Sequence, residues 1–344
     1  DHYAPAVKAI DLKYDLLLEK PISNIASECM GIADRAEAAG VKVVICTVLR
    51  YSTLFMGIKH LIKSGRIGDV MSINHEECVG NVHQSHSFVR GNWGNAERSS
   101  CMLLQKSCHD MDLLQWLLDK QLKKVQSFGT LSYFTEKNAP AGAPDYCIQG
   151  CPIENTCPYN AKLLYLGEHE YSSWFRSAAS RCPEPTDADL EEAIANTQYG
   201  KCVYKCDNDV VDHQTVNMLF EDDITVTFTM NAFTKGGRFV HIMGTKGEIH
   251  AALDGGSPIR VYDFESKTTE EIDSDGIDGI NGGHGGGDEG IVSAFYDYVC
   301  DCYEGDSIPS IRQAAINHIM VFAAEKSREE NIVVNFDDYL KNFK

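Results

Sequence analysis

The chain has 344 residues, 43% of them hydrophobic and 24% charged, a globular composition that argues against disorder, and no apolar run is long enough to span a bilayer. Fifty acidic against thirty-one basic side chains leave a formal net charge of −19, which repels phosphate backbones and anionic lipid. No local Lys/Arg cluster offsets this charge, so neither nucleic acid nor a membrane is an expected partner. Thirteen cysteines, an odd number spread along the chain, fit a reducing, cytoplasmic setting better than a disulfide scaffold.

The chain starts at Asp1 without Met, and Asp-His-Tyr-Ala-Pro reads as the middle of a domain. Residues 14–18 form an apolar run stopped by Glu19-Lys20-Pro21, the pattern of a buried parallel strand. Ser23 or Asn24 can cap a helix that carries Ile25, Cys29, Ile32 and Ala36 at helical spacing and closes at Gly40. Residues 41–48 supply the next strand, so the start of the chain reads as a βαβ unit. A helix over 54–64, a strand over 70–79 and a helix over 107–119 follow, the last with Met111, Leu114, Leu117 and Leu118 inward. From about Val216 the pattern turns antiparallel: strands 216–220 and 224–230, then 239–243 and 248–252, then 259–264. A Gly/Asp-rich loop over 275–290 precedes two helices, 291–303 and 310–327. Between 135 and 200 lies a long irregular insertion with Pro, Gly and Cys, a length that implies function or something other than a core to hold it.

Several segments carry residues suited to chemistry. Gly285 to Gly290 fits G-x-G-x-x-G by letter, but no strand precedes it, so it reads as a flexible loop with His284 and Asp288 as polar tips. Lys20, at the carboxyl end of a parallel strand, points to the crevice where open α/β sheets bind ligands; the plain alternative is a surface lysine before a turn proline. His109 is expected in the first turn of its helix, where the dipole keeps an imidazole neutral; the alternative is a polar helix start. The loop of His86, Phe88, Arg90, Asn92 and Trp93 offers a ring platform with fixed polar groups, or else an ordinary Arg–Trp stack. In the insertion, Cys147-x3-Cys151-x5-Cys157 and Cys202-x3-Cys206 stand out. Zinc held by Cys147, Cys151, Cys157, Cys202 and Cys206 would order a Pro-rich segment; disulfides and an iron–sulfur cluster are the alternatives.

With these residues the sequence resembles the Gfo/Idh/MocA oxidoreductases, the family of glucose–fructose oxidoreductase and inositol dehydrogenase. Glu19-Lys20-Pro21 resembles the family's E-K-P motif, and residues 61–68 resemble its helix-ending L-I-x-x-G-x-I-G. Residues 109–117 resemble its H-D-x-D-x-x-x-W-L helix, and the similarity runs through Ala323-Ala324-Glu325-Lys326-Ser327. Within the family the chain is similar to a cysteine-rich branch through Arg50-Tyr51, the H-S-F-V-R-G-N-W and K-S-C-H-D stretches, and residues 202–213.

The resemblance implies an enzyme using NAD or NADP to move hydride to or from a carbinol carbon of a sugar, cyclitol or glycoside. Lys20 and His109 match the catalytic lysine and histidine, Glu19, Lys20, Pro21 and Arg50 are expected at the cofactor, and Arg90, Asn92, Trp93 and Lys106 at a carbohydrate-like substrate. Where the family often has an Asp four residues before the histidine, this chain has Gln105, which takes no proton, and Lys106 is the candidate to share that work. The family's first strand, glycine fingerprint and ribose-reading acid would lie upstream of Asp1. The expected fold class is therefore α/β. A remnant of a Rossmann-type doubly wound parallel sheet occupies 1–50. An α+β domain over 51–344 follows, with a large, mostly antiparallel open sheet and a Cys-rich insertion at about 135–206. Copies would pair through that sheet as a homo-oligomer. Two rival readings are an NAD-dependent glycoside-cleaving enzyme that uses transient oxidation, and a non-catalytic sensor of sugar or metal.

Overall fold

Tyr3–Asp11 (α1) packs on Ala26–Ala39 (α2), beside a two-stranded parallel sheet of Leu16–Leu18 (β1) and Val43–Ile45 (β2). The computed structural model describes residues 2–167, 172–254, 256–273 and 286–343. The expected βαβ unit is present, and α2 ends at Gly40, whose φ of 68° is the left-handed conformation that glycine adopts at little cost. Ser23 does not cap the helix directly; its hydroxyl accepts from the Ile25 amide just outside it. α1 carried no capping signal in the sequence and was not expected.

Thr53–Lys63 (α3) leads to Val70–Cys78 (β3), where Ile73, His75 and Glu77 alternate inward. Asn81–His83 (α4) continues into a wide π-helical turn, Gln84–Arg90, which is buried throughout and replaces the expected loop. Met102–Leu118 (α5) begins five residues before the expected start, because Leu103 and Leu104 are buried as part of its apolar surface. Leu122–Thr130 (β4) follows.

The insertion is irregular over 139–160 but helical beyond it. Ala161–Leu166 (α6), Ser172–Ser180 (α7) and Asp187–Asn196 (α8) pack on one another around Leu164, Tyr165, Phe175, Leu190 and Ile194. A capping box between Thr186 and Asp189 starts α8.

Then come His213–Phe220 (β5), Thr225–Asn231 (β6), Gly237–Gly244 (β7), Gly247–Leu253 (β8), Ile259–Asp263 (β9) and Thr268–Ile272 (β10). Gly287–Val299 (α9), Ile311–Glu330 (α10), Val334–Asn335 (β11) and Phe336–Leu340 (α11) complete the chain. Residues 274–285, with His284, lie outside the described residues. The Gly-rich stretch beyond them opens α9. A Cβ at Gly287 would stand 2.3 Å from the Val48 carbonyl oxygen, so glycine is needed there for close packing.

Nine strands form the large sheet in the order β10-β9-β8-β7-β3-β6-β5-β4-β11. Every neighbouring pair is antiparallel except β3 with β6. The helix layer covers one face: α10 packs on β4 and α5, and α5 on β3. The architecture is the expected one, a small parallel sheet followed by a large and mostly antiparallel one.

Candidate active site

α5 organises the site because its polar residues leave in different directions. Asp112 takes Arg50 in a bidentate pair, with Nε to Oδ2 at 2.6 Å and Nη2 to Oδ1 at 2.8 Å, and Asn317 on α10 donates to the same carboxylate at 2.7 Å. Arg50 gives its remaining Nη1 to the Ser307 carbonyl at 3.3 Å. Each of its three nitrogens thus has a partner inside the protein, a structural role that the expected cofactor contact did not include.

Asp110 faces the sheet. His75 Nε2 lies 2.8 Å and Arg238 Nε 2.9 Å from its Oδ1. Arg238 also reaches Glu77 Oε2 at 2.7 Å, and Lys106 Nζ reaches Glu77 Oε1 at 3.2 Å. Burial alone would raise the Asp110 carboxyl, but Arg238 and His75 outweigh it and hold the group well below the ordinary carboxylate range. Burial lowers the Lys106 ammonium, with Glu77 opposing and Arg238 adding to the shift. Two cations and two carboxylates thus close a neutral buried network, the arrangement that makes such charges tolerable.

Lys20 sits where β1 ends. Its Nζ donates to the Gln105 carbonyl at 3.0 Å, on the turn of α5 just before His109. Residues 105 and 109 are four apart on one helix face, so Lys20 is held within one helical turn of His109. His109 is the eighth residue of α5 rather than in its first turn, so the helix dipole, which fades within one turn, does not act on it as expected. The turn after Lys20 is pinned by His318 on α10, whose Nε2 accepts from the Ile22 amide at 3.2 Å while Nδ1 donates to the Ala314 carbonyl at 2.9 Å. Glu19 borders the buried Cys46 thiol, which burial first and Glu19 second push up to about 12.

The expected substrate residues divide. Lys106 belongs to the site. Arg90 does not: it is buried, giving Nε to the Lys201 carbonyl and Nη2 to the Tyr159 carbonyl, both at 2.7 Å, and Nη2 to Cys147 Sγ at 3.5 Å. Asn92 accepts from Gln198 at 3.2 Å, and Trp93 packs its ring on Phe88, both on the rim of the insertion. The ring near the cationic groups is Trp174 instead, 42% exposed and edge-on to His83 at 5.2 Å. Burial and then Lys106, His86, Arg238 and Lys20 hold the His83 imidazole well below its ordinary value. Sequence reasoning missed His75, Glu77, His83, Trp174 and Arg238. For His75 and Glu77 a signal was present, since both occupy inward positions in phase with Ile73. Of the five expected metal ligands, Cys147, Cys151, Cys157 and Cys202 line one cavity and Cys206 does not.

Residues 59–336 match the family described as "Oxidoreductase family, C-terminal alpha/beta domain". The chain belongs to this family. YteT of Bacillus subtilis is 25% identical over 304 residues, which cover 83% of this chain and 67% of YteT. Inositol 2-dehydrogenase of Acidothermus cellulolyticus is 26% identical over 145 residues, 42% of this chain and 38% of that protein. In fold, the chain is similar to an oxidoreductase from Agrobacterium radiobacter whose structure contains NAD+, L-tartaric acid and magnesium. The TM-score is 0.64 at 13% identity, covering 98% of this chain and 77% of the other. In the described residues of this family member, no helix is long and apolar enough to cross a membrane.

Proposed function

We propose that the chain acts as a nicotinamide-dependent oxidoreductase on the CH–OH group of a sugar, cyclitol or glycoside, with Lys20 and His109 as the catalytic pair. The observation that carries this is Lys20 Nζ at 3.0 Å from the Gln105 carbonyl, one turn before His109. It brings the end of the parallel sheet and the polar face of α5 to one place.

The chemistry of the groups present fits the reacting end of such a cofactor. A bound nicotinamide would supply the hydride acceptor or donor. Glu19, Lys20 and Pro21 would lie beside it, at the carboxyl edge of β1. Lys20 and His109 hold the hydroxyl proton of the substrate between them, one taking it as the carbonyl forms and returning it in reverse. The main-chain carbonyl of Gln105 aims Lys20. Lys106, fixed by Glu77, orients a hydroxyl, and Trp174 offers the apolar ring a sugar face needs. Residues 1–50 form the cofactor side and residues 51–344 the substrate side. Copies pair through the open sheet face, where Phe128 and Phe239 are exposed.

The test is formation of reduced cofactor with NAD and NADP against a panel of polyols and glycosides, for the wild type and Lys20→Ala. Turnover in the wild type and loss of about a hundredfold or more in the variant, with an unchanged circular dichroism spectrum, is expected. Undiminished turnover in Lys20→Ala overturns the assignment. Loss of a glycosidic group without stoichiometric reduced cofactor would assign transient oxidation in place of net dehydrogenation.

A further inference from the structure

Four cysteine sulfurs converge on one cavity beside the helical insertion. Cys147, Cys151, Cys157 and Cys202 line it together with Arg90, around about 350 Å3 of empty space including the mouth. All four thiols are free. The backbone brings Cys202 to the other three. The Cys147 amide donates to the Gly200 carbonyl at 2.9 Å and the Cys202 amide to the Asp145 carbonyl at 2.8 Å, an antiparallel bridge around Tyr146 and Lys201.

Arg90 is the second observation. Its guanidinium is 2% exposed, and Nη1 has no hydrogen-bond partner among the described residues. A permanent cation removed from water needs an anion close by. Its hydrogen bonds go to the Lys201 and Tyr159 carbonyls and to Cys147 Sγ, with no carboxylate among them. The cysteines around it can supply that charge once a metal centre takes their protons.

The spacing of the sulfurs selects the occupant. One zinc ion holds its thiolates at about 2.3 Å, hence roughly 3.8 Å from one another. No three of these sulfurs lie within 4.8 Å of one another; the set of ligand atoms that does, among the described residues, is His241, Glu248 and His250. In each trio of the four at least one pair of sulfurs therefore stands farther apart than a single zinc holds its thiolates, and the ligands of a cluster containing its own iron and sulfide are spaced more widely.

We propose that Cys147, Cys151, Cys157 and Cys202 ligate a four-iron iron–sulfur cluster, with Arg90 as a positioning residue that donates an N–H to Cys147 Sγ. Each thiol gives up its proton on binding. The cluster ties the segment around 147–157 to the one around 202 and, through Arg90, to the π-helical turn beside the candidate active site. Cys206, whose Sγ donates to the Cys202 carbonyl at 3.3 Å, is not a ligand.

The test uses the full chain, expressed with added iron and purified without oxygen, then reconstituted anaerobically with iron and sulfide. Iron, acid-labile sulfide and zinc are measured, and the visible spectrum is recorded before and after dithionite. About four irons and four sulfides per chain are expected, with a visible absorption that bleaches on reduction. Cys206→Ser should keep the full iron content, and Cys151→Ser and Cys157→Ser should each lose half or more of it. One zinc per chain without sulfide, or no metal in the reconstituted wild type, overturns the proposal. So does a full iron content in the Cys157→Ser/Cys202→Ser double variant. The wild-type measurement decides even where a variant fails to fold.

Discussion

Arg50 and Asp112 meet through two parallel hydrogen bonds, of 2.6 and 2.8 Å, with both side chains almost completely buried. The pair joins the turn after β2 to α5, and Asn317 ties it to α10. Removing one partner leaves an uncompensated charge, which costs about 3–5 kcal/mol. Asp112→Ala should therefore lower the denaturation midpoint strongly in urea titrations. Arg50→Lys should fail to restore the bidentate geometry and recover only part of the loss.

Glu77 is the carboxylate that opposes the fall in the Lys106 ammonium's proton affinity. In Glu77→Gln most of that opposition is gone, leaving Asp110, while burial and Arg238 remain, so Lys106 should lose its proton at lower pH. The alkaline limb of the kcat/KM profile should then move toward neutrality. A profile that stays where it was would remove Lys106 from the reaction.

His318 uses both ring nitrogens, accepting at Nε2 and donating at Nδ1, so its neutral form is built into the E-K-P turn. Burial lowers its proton affinity, with the Ala314 carbonyl opposing. The unfolded chain takes up this proton below about pH 6.5 and the native one only at lower pH. Stability should accordingly fall as pH drops below that value, with a slope that approaches about 1.4 kcal/mol per unit for one proton. Thermal denaturation from pH 7.5 to pH 5 should show this, and His318→Gln should flatten the part of the slope that His83 does not supply.

Gly287→Ala places a methyl 2.3 Å from the Val48 carbonyl oxygen. Alanine is the better helix former, but overpacking against backbone should cost about 1–3 kcal/mol and exceed that gain. Calorimetry would read the difference directly. A stabilised variant would show that α9 can move away from Val48.

Local pattern made the chain legible where one element decides. The helix closed by Gly40 and the alternation in β5 and β6 express periods of 3.6 and 2 that survive folding, and the run ending at Glu19-Lys20-Pro21 is a continuous apolar stretch stopped by proline. What stayed hidden depends on meetings across the chain. Arg238 joins Glu77 and Asp110 only because β7 lies beside β3, and nothing local to Arg238 announces that. Arg90 read as part of a substrate-binding loop because its π-helical turn has no simple repeat. The insertion looked irregular because its three helices are short, and Tyr165 and Phe175 bury against each other's neighbours rather than along one long stripe.

α10 packs on α2, and Arg312 reaches both Asp34 at 2.7 Å and Glu37. The two partners in this contact lie near opposite ends of the chain, 272 residues apart from Ala39 to Ile311. During synthesis at roughly 5–20 residues per second, α2 waits on the order of 15–55 s before α10 leaves the ribosome to cover it. The flank of α2 that α10 covers therefore stays open over that interval, with α1 packed on the helix.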